Sequence, residues 1–366
     1  MSLIGGWHSV TTRATLDIVA YPVRDRGLFG ERRPPIDSDV KKLSGEETSI
    51  ADMLKLLGNG ANGPILMALG PRSLRTKKLT EKVPTYAPRT VYRHARKLAE
   101  LGLVDREEVA GVPSTVIHCL SPAGRDLFHL VDTYSEASLP WVTGPGSGEG
   151  LWTVCGLLGE MWTYGWIEEL GQGGRSATDI AEATSEMTFH QVSRRTHQLL
   201  SWSLLYESPG KGHRKRYQMS DQTRHAMALM AGLGRWRQQH VEGEEEGGLT
   251  VSEMTTALRA SLPLLQLPEH QERSIKLGVV GTTGFDGQRG SDTLTVHVSA
   301  GGAVRCVKAK PSEDAWAIGT VDTWLAALLD GDREQMRVGG DLDFVDDCLK
   351  RLHEVLWAAP ADVGAR

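Results

Sequence analysis

Apolar residues recur three and four apart from Pro88 to Gly102, in PRTVYRHARKLAELG. At about 100° per residue and with Arg89 as origin, Val91, Ala95 and Leu98 cluster between about 180° and 240°. Arg93, Arg96 and Glu100 fall within about 40° of Arg89, and Tyr92 lies about 60° away. The spacing predicts an amphipathic helix with one face for a core and a basic, tyrosine-bearing face for something else. Pro88 suits the first turn, where its missing N–H costs nothing, and Gly102 offers a left-handed stop. Beyond it the pattern shortens to strand Leu103–Val109, turn Ala110–Ser114 and strand Thr115–Leu120. A helix then starts at Ser121 with Pro122 just inside it. Upstream, Ser49–Leu57 reads as a helix, and Leu74, Lys78 and Leu79 suggest a short one, closed by a Pro-bounded turn at Val83–Thr85.

Helix, turn, basic helix and two-stranded hairpin make a winged-helix arrangement, whose second helix is sized for a major groove about 12 Å wide. The pattern returns about 100 residues later. HQVSRRTHQLLSWSLLYESPGKGHRKRYQMSDQTRHAM lays over RTVYRHARKLAELGLVDREEVAGVPSTVIHCLSPAGRDL. Val192 falls on Val91, Arg194 on Arg93, Leu199 on Leu98 and Leu204 on Leu103. Past a wing two residues shorter, Ser220 falls on Ser121 and Arg224 on Arg125. ATDIAEATSEMTF supplies the preceding short helix and turn. The expected organisation is an unassigned arm over residues 1–47, winged helices near 48–140 and 150–240, an acidic Gly-punctuated linker at 241–249, and a third domain over 250–360.

That third domain alternates differently. VSEMTTALRASLPLL reads as an amphipathic helix. Strand candidates SIKLGVVGTT, DTLTVHVSA, AVRCVKAK and DAWAIGT follow, then helix VDTWLAALLDG, segment MRVGGDL and closing helix DFVDDCLKRLHEVLW. The layout is α+β.

Charge sharpens this picture. The net formal charge is −5, yet residues 241–366 hold 12 Lys and Arg against 21 Asp and Glu, leaving residues 1–240 at +4. Residues 71–98 carry nine basic residues and one acid, Glu81. The local asymmetry, rather than the total, points to a polyanionic partner. The two repeats place charge differently: the first on its helix, the second on the wing SPGKGHRKRY, with Lys211, His213, Arg214, Lys215 and Arg216. The second copy reads either as a phosphate anchor or as a dimerisation module with a solvated basic loop. Four cysteines, Cys119, Cys155, Cys306 and Cys348, form no C-x-x-C pair and suggest a reducing compartment. Asp341, Asp343, Asp346 and Asp347 read as helix N-terminal charge rather than a calcium loop. No apolar run approaches the roughly 20 residues of a membrane span, and no secretory signal is visible, so a cytoplasmic location is expected.

Gly63–Leu127 resembles the winged-helix domain of HxlR-type bacterial regulators, relatives of MarR. The resemblance rests on PRTVYRHARKLAELGLVDR followed at the right distance by LSPAGRDL. Two residues depart from it: Ala87 stands where a Ser often caps the recognition helix, with Thr85 as a substitute cap, and the wing VAGVPST lacks a basic residue. Ala315–Leu352 is similar to the C-terminal part of sterol-carrier-like domains, through a strand ending in Gly319-Thr320, the LAALLDGD helix and GGDL before the last helix. That likeness implies a curved sheet covered by helices around an apolar tunnel. The expected fold is therefore multidomain: two mainly-α winged helix-turn-helix domains followed by an α+β sterol-carrier-like domain.

These resemblances imply a ligand-responsive DNA-binding transcriptional repressor, acting as a homodimer on a duplex operator. The expected DNA contacts are Arg89, Thr90, Tyr92, Arg93, Arg96 and Lys97 in the first copy. In the second they are His190, Gln191, Arg194 and Arg195 on the helix, and Lys211, Arg214, Lys215 and Arg216 on the wing. Trp152, Trp162 and Trp166 either frame a pocket for a hydrophobic or aromatic effector or simply pack helices together. No base–nucleophile pair, phosphate loop or metal cluster stands out, so neither an enzyme nor a cofactor is expected. The competing reading is a hydrophobic-ligand carrier or scaffold whose winged helices bind protein.

Overall fold

The computed structural model describes residues 49–109, 115–138, 148–171, 173–184, 187–210, 215–241, 248–268, 272–281, 290–307 and 313–357. All of them lie within one compact unit, Asp37–Arg366. The arm at 1–47, the turn at 110–114 and most of the linker lie outside the described residues.

The first region runs α1 (Ile50–Gly58), α2 (Asn62–Leu69), β1 (Leu74–Arg75), α3 (Thr76–Lys82), α4 (Pro88–Glu100), β2 (Val104–Val109), β3 (Thr115–Leu120) and α5 (Pro122–Ser138). Ser49 caps α1, its hydroxyl accepting from the Asp52 amide. On α4, Val91, Ala95 and Leu98 are buried, as the apolar spacing requires. Gly102 follows in the left-handed region at φ 71°. Ala87 holds the N-cap of α4 without a side-chain hydrogen bond, so Thr85 does not supply the expected cap. Pro88 at the first turn leaves one fewer amide in need of a partner. Leu74 is a second correction. It belongs to a strand, not to the short helix: Leu74 pairs with His118 and Arg75 with Ile117, making a three-stranded sheet in order β1-β3-β2.

The second region runs α6 (Gly148–Thr163), α7 (Trp166–Gly171), α8 (Ala177–Ala183), α9 (Phe189–Ser201), β4 (Leu205–Pro209), β5 (Lys215–Met219), α10 (Asp221–His225) and α11 (Met227–His240). A shift of 101 residues takes α3 onto α8 and α4 onto α9, end to end. The same shift takes Leu74 to Arg175, which bridges Tyr217 as Leu74 bridges His118. Individual hydrogen bonds repeat too. The Leu103 amide donates to Leu98 O at 2.9 Å and the Leu204 amide to Leu199 O at 2.9 Å. Ser121 N reaches Leu103 O at 3.1 Å, and Ser220 N reaches Leu204 O at 3.1 Å. Where Gly102 turns left-handed, Ser203 does so at φ 55°, a conformation uncommon for a residue with a side chain. Here the entering helices are capped: Ser176–Asp179 and Thr188–Gln191 each form a reciprocal box.

The third region runs α12 (Val251–Ser261), β6 (Arg273–Val280), β7 (Ser291–Val298), β8 (Val304–Val307), β9 (Ala315–Thr320), α13 (Val321–Leu329), β10 (Arg337–Gly340) and α14 (Leu342–Trp357). The strands form one mixed sheet in order β10-β9-β6-β7-β8, with β6 and β9 parallel. Buried Trp324 on α13 pins the helix to the sheet by donating to Gly278 O at 2.9 Å. This is the expected α+β layout. Asp341 accepts from the Phe344 amide and pairs with Arg273, so it serves a helix start and an ion pair. The region is joined to the second one by buried Arg224, whose guanidinium donates to Ala260 O at 2.8 Å. Arg235 adds an ion pair to Asp330 at 2.6 Å.

Candidate nucleic-acid interface

Helix α4 turns its buried stripe inward and leaves Arg89, Tyr92, Arg93, Arg96 and Lys97 exposed, with Thr90 half-buried beside them. These side chains share one face because positions three, four and seven apart lie above one another. Arg96 is engaged, pairing with Glu100 at 2.9 Å. Arg89, Arg93 and Lys97 make no ion pair among the described residues. Tyr92 is 42% exposed, and the Arg106 guanidinium lies 5.6 Å from its ring centre, so β2 steadies it from the side. Exposed Arg72, Arg75, Lys77 and Lys82 extend the cationic surface to β1 and α3.

His94 fixes how α4 sits on the body. It is buried, and its Nδ1 stands 2.7 Å from Asn62 Oδ1, while the Asn62 amide donates to Leu56 O. The Asn62 oxygen is thereby left to accept, so His94 Nδ1 carries the proton. Burial pushes the imidazole below its ordinary range, and Arg93 and Lys97 push the same way.

The second helix is less basic. His190, Gln191, Arg194 and His197 are exposed on α9. Gln191 spends its side-chain oxygen on the Thr188 amide at 2.8 Å, leaving only its N–H groups. Arg195 turns toward the body rather than outward, pairing with Glu160 on α6 at 2.9 Å and with Gln198. The shift of 101 residues puts Arg195 at the position of His94, the side of the helix that faces the core. One exposed side chain escaped the charge-based reading: Phe189, at the start of α9, is 57% exposed. Its signal was available as an aromatic residue beside the Thr188 cap.

On the second wing Lys215 and Arg216 are exposed, and Lys215 pairs with Glu207 at 2.9 Å. Lys211 and Arg214 lie outside the described residues. The tryptophans divide. Trp152 is buried against the Gly63 backbone, and Trp162 is half-buried on the core. Trp166 lines a small pocket, with room for about one water molecule, together with Leu157, Met161, Met187 and Leu199. Trp166 Nε1 and Glu160 Oε2 are buried there without a hydrogen-bond partner among the described residues.

Residues 56–143 match the family model described as an HxlR-like helix-turn-helix. Over that stretch the chain carries a helix-turn-helix of the kind found in winged-helix regulators. Similar solved structures include diamide-treated YodB from B. subtilis, 24% identical over 23% of this chain and 86% of that one, with a TM-score of 0.21. Its reduced form, a transcriptional regulator, is 25% identical over 23% and 85%, also with a TM-score of 0.21. A protein described as a MarR-family transcriptional regulator from Porphyromonas gingivalis W83 is 20% identical over 26% and 94%, with a TM-score of 0.23. No curated protein matches the chain. No helix among the described residues is long and apolar enough to cross a membrane.

Proposed function

We propose that the chain is a ligand-responsive DNA-binding transcriptional regulator, a repressor, built from two winged helices and a sterol-carrier-like third domain. The observation that carries the DNA reading is the outward face of α4. Arg89, Arg93 and Lys97 stand exposed, without an ion pair among the described residues, opposite buried Val91, Ala95 and Leu98 on the second helix of a helix-turn-helix. Guanidiniums on such a helix pair with guanine edges in the major groove, and flanking lysines contact phosphate. The surrounding cations on α3 supply the sequence-independent attraction.

The effector reading draws on the pocket beside Trp166. Its walls are mostly apolar, from Leu157, Met161, Trp166, Met187 and Leu199, and the Glu160–Arg195 pair in its lining ties it to α9. A hydrophobic or aromatic molecule that wedges this pocket open would strain the Arg195–Glu160 pair and shift α9 against α6. Regulation needs only a difference in affinity between two arrangements, commonly about 1–3 kcal/mol. The third domain is the other candidate seat for such a molecule.

The test is binding to the chain's own promoter fragment at two salt concentrations, with and without competitor duplex. Specific retention that weakens with salt is the expected result. A chain that ignores DNA but retains a hydrophobic probe would establish the carrier reading instead.

A further inference from the structure

The two regions meet through α1 and α6, and the contact is reciprocal. A β-carbon on Gly58 would lie 2.4 Å from Gly156 N and 2.7 Å from Trp152 O. A β-carbon on Gly159 would lie 2.9 Å from Ala51 O and 3.0 Å from Lys55 N. The shift of 101 residues carries Gly58 to Gly159, Ala51 to Trp152 and Lys55 to Gly156. Each helix therefore presents the same positions to the other. A chain of stacked repeats would touch through two different surfaces, whereas a two-fold axis makes residue i meet j and j meet i.

We propose that one chain, acting alone, grips two half-sites of a single duplex, with α4 in one major groove and α9 in the next, and that its operator is asymmetric. The inference rests on the DNA-binding reading above. A two-fold rotation leaves the component of a surface along its axis unchanged, so whatever part of the outward face of α4 points along the axis is matched by α9 on the same side. Duplex DNA has local two-folds perpendicular to its length, so paired heads of this kind fit half-sites about one helical turn apart. Two chains are then not needed to supply two heads.

The asymmetry follows from the side chains. Arg93 and Arg194 occupy the same helix position, and both are exposed. Around them Arg89 gives way to His190, Tyr92 to Ser193, Arg96 to His197 and Lys97 to Gln198. The half-sites share a guanine read by the common arginine and differ on either side of it. The first head, with more exposed cations on its helix, holds its half-site more firmly.

The experiment uses the full chain and a duplex that it selects from a random-sequence library. Native mass spectrometry counts chains per duplex, and hydroxyl-radical footprinting maps protection for the chain, Arg93→Ala and Arg194→Ala. The expected result is one chain per duplex and two protected patches about a turn apart. Arg93→Ala weakens one patch and Arg194→Ala the other. Two chains per duplex, with Arg93→Ala removing both patches and Arg194→Ala neither, would overturn this inference and leave the DNA reading standing. Failure to select any duplex would overturn both.

Discussion

The backbones of Gly58 and Gly156 touch, so that a β-carbon on Gly58 would stand 2.4 Å from the Gly156 amide nitrogen. The reverse is not true: a β-carbon on Gly156 finds the Gly58 Cα at an ordinary 3.6 Å. Gly58→Ala should therefore force α1 and α6 apart and cost about 1–3 kcal/mol. Gly156→Ala should be neutral, or stabilising by up to about 1 kcal/mol, because alanine is the better helix former. Chemical denaturation of both variants decides it; equal effects would mean that the helices are not packed this closely.

Arg93 and Arg96 are neighbours on α4 with different prospects. Arg93→Ala should cost about 1–3 kcal/mol of specific DNA affinity, tenfold or so, if it pairs with a base edge. Arg96 is held by Glu100, an exposed pair worth only about 0.3–0.5 kcal/mol, and its loss should cost less. Equilibrium titrations across a salt series separate the two, since each lost phosphate contact lowers the log–log slope by about 0.9.

Arg194 and Arg195 should separate function from stability. Arg194 is exposed, so Arg194→Ala should lower DNA affinity and leave the melting temperature alone. Arg195→Ala strands the half-buried Glu160 carboxylate and should destabilise the fold by about 1–3 kcal/mol. A thermal melt in which both behave alike would contradict the observed pairing.

Acid should weaken the fold through buried imidazoles. Burial lowers the folded-state pKa of His94, His118 and His225. The unfolded chain then binds more protons, so stability falls as pH drops through about 6.5 and levels off below the depressed folded values. The melting temperature at pH 5.5 should lie below that at pH 7.5, and His94→Gln should narrow the gap. An unchanged gap would assign the effect to other groups.

Flat aromatic compounds that enter the pocket should quench tryptophan emission. Trp166→Phe should abolish the response, and Trp162→Phe, on a residue outside the lining, should keep it. Quenching that survives Trp166→Phe would place the ligand elsewhere.

Much of the first region was legible because its signals are local. Pro88, the apolar stripe of α4 and Gly102 mark a helix from within its own span, and strand β3 was read end to end. The strand at Leu74–Arg75 was not, since two residues carry no alternation and its partner, His118, lies more than forty positions away. Arg195 looked like a DNA contact because it adjoins Arg194; only Glu160, from another helix, reveals its direction. In the α1–α6 contact the apolar positions of both helices show that each is buried but not against what, and the close approach is set by glycines whose value lies in the side chains they lack.

That same contact, joined within one polypeptide, removes an association step. Paired helices that are covalently tethered incur no translational entropy on meeting and do not come apart on dilution. Occupancy of a duplex should then rise with the first power of chain concentration. Each substitution also acts on one groove instead of two, so the halves of the binding site are free to drift apart in sequence.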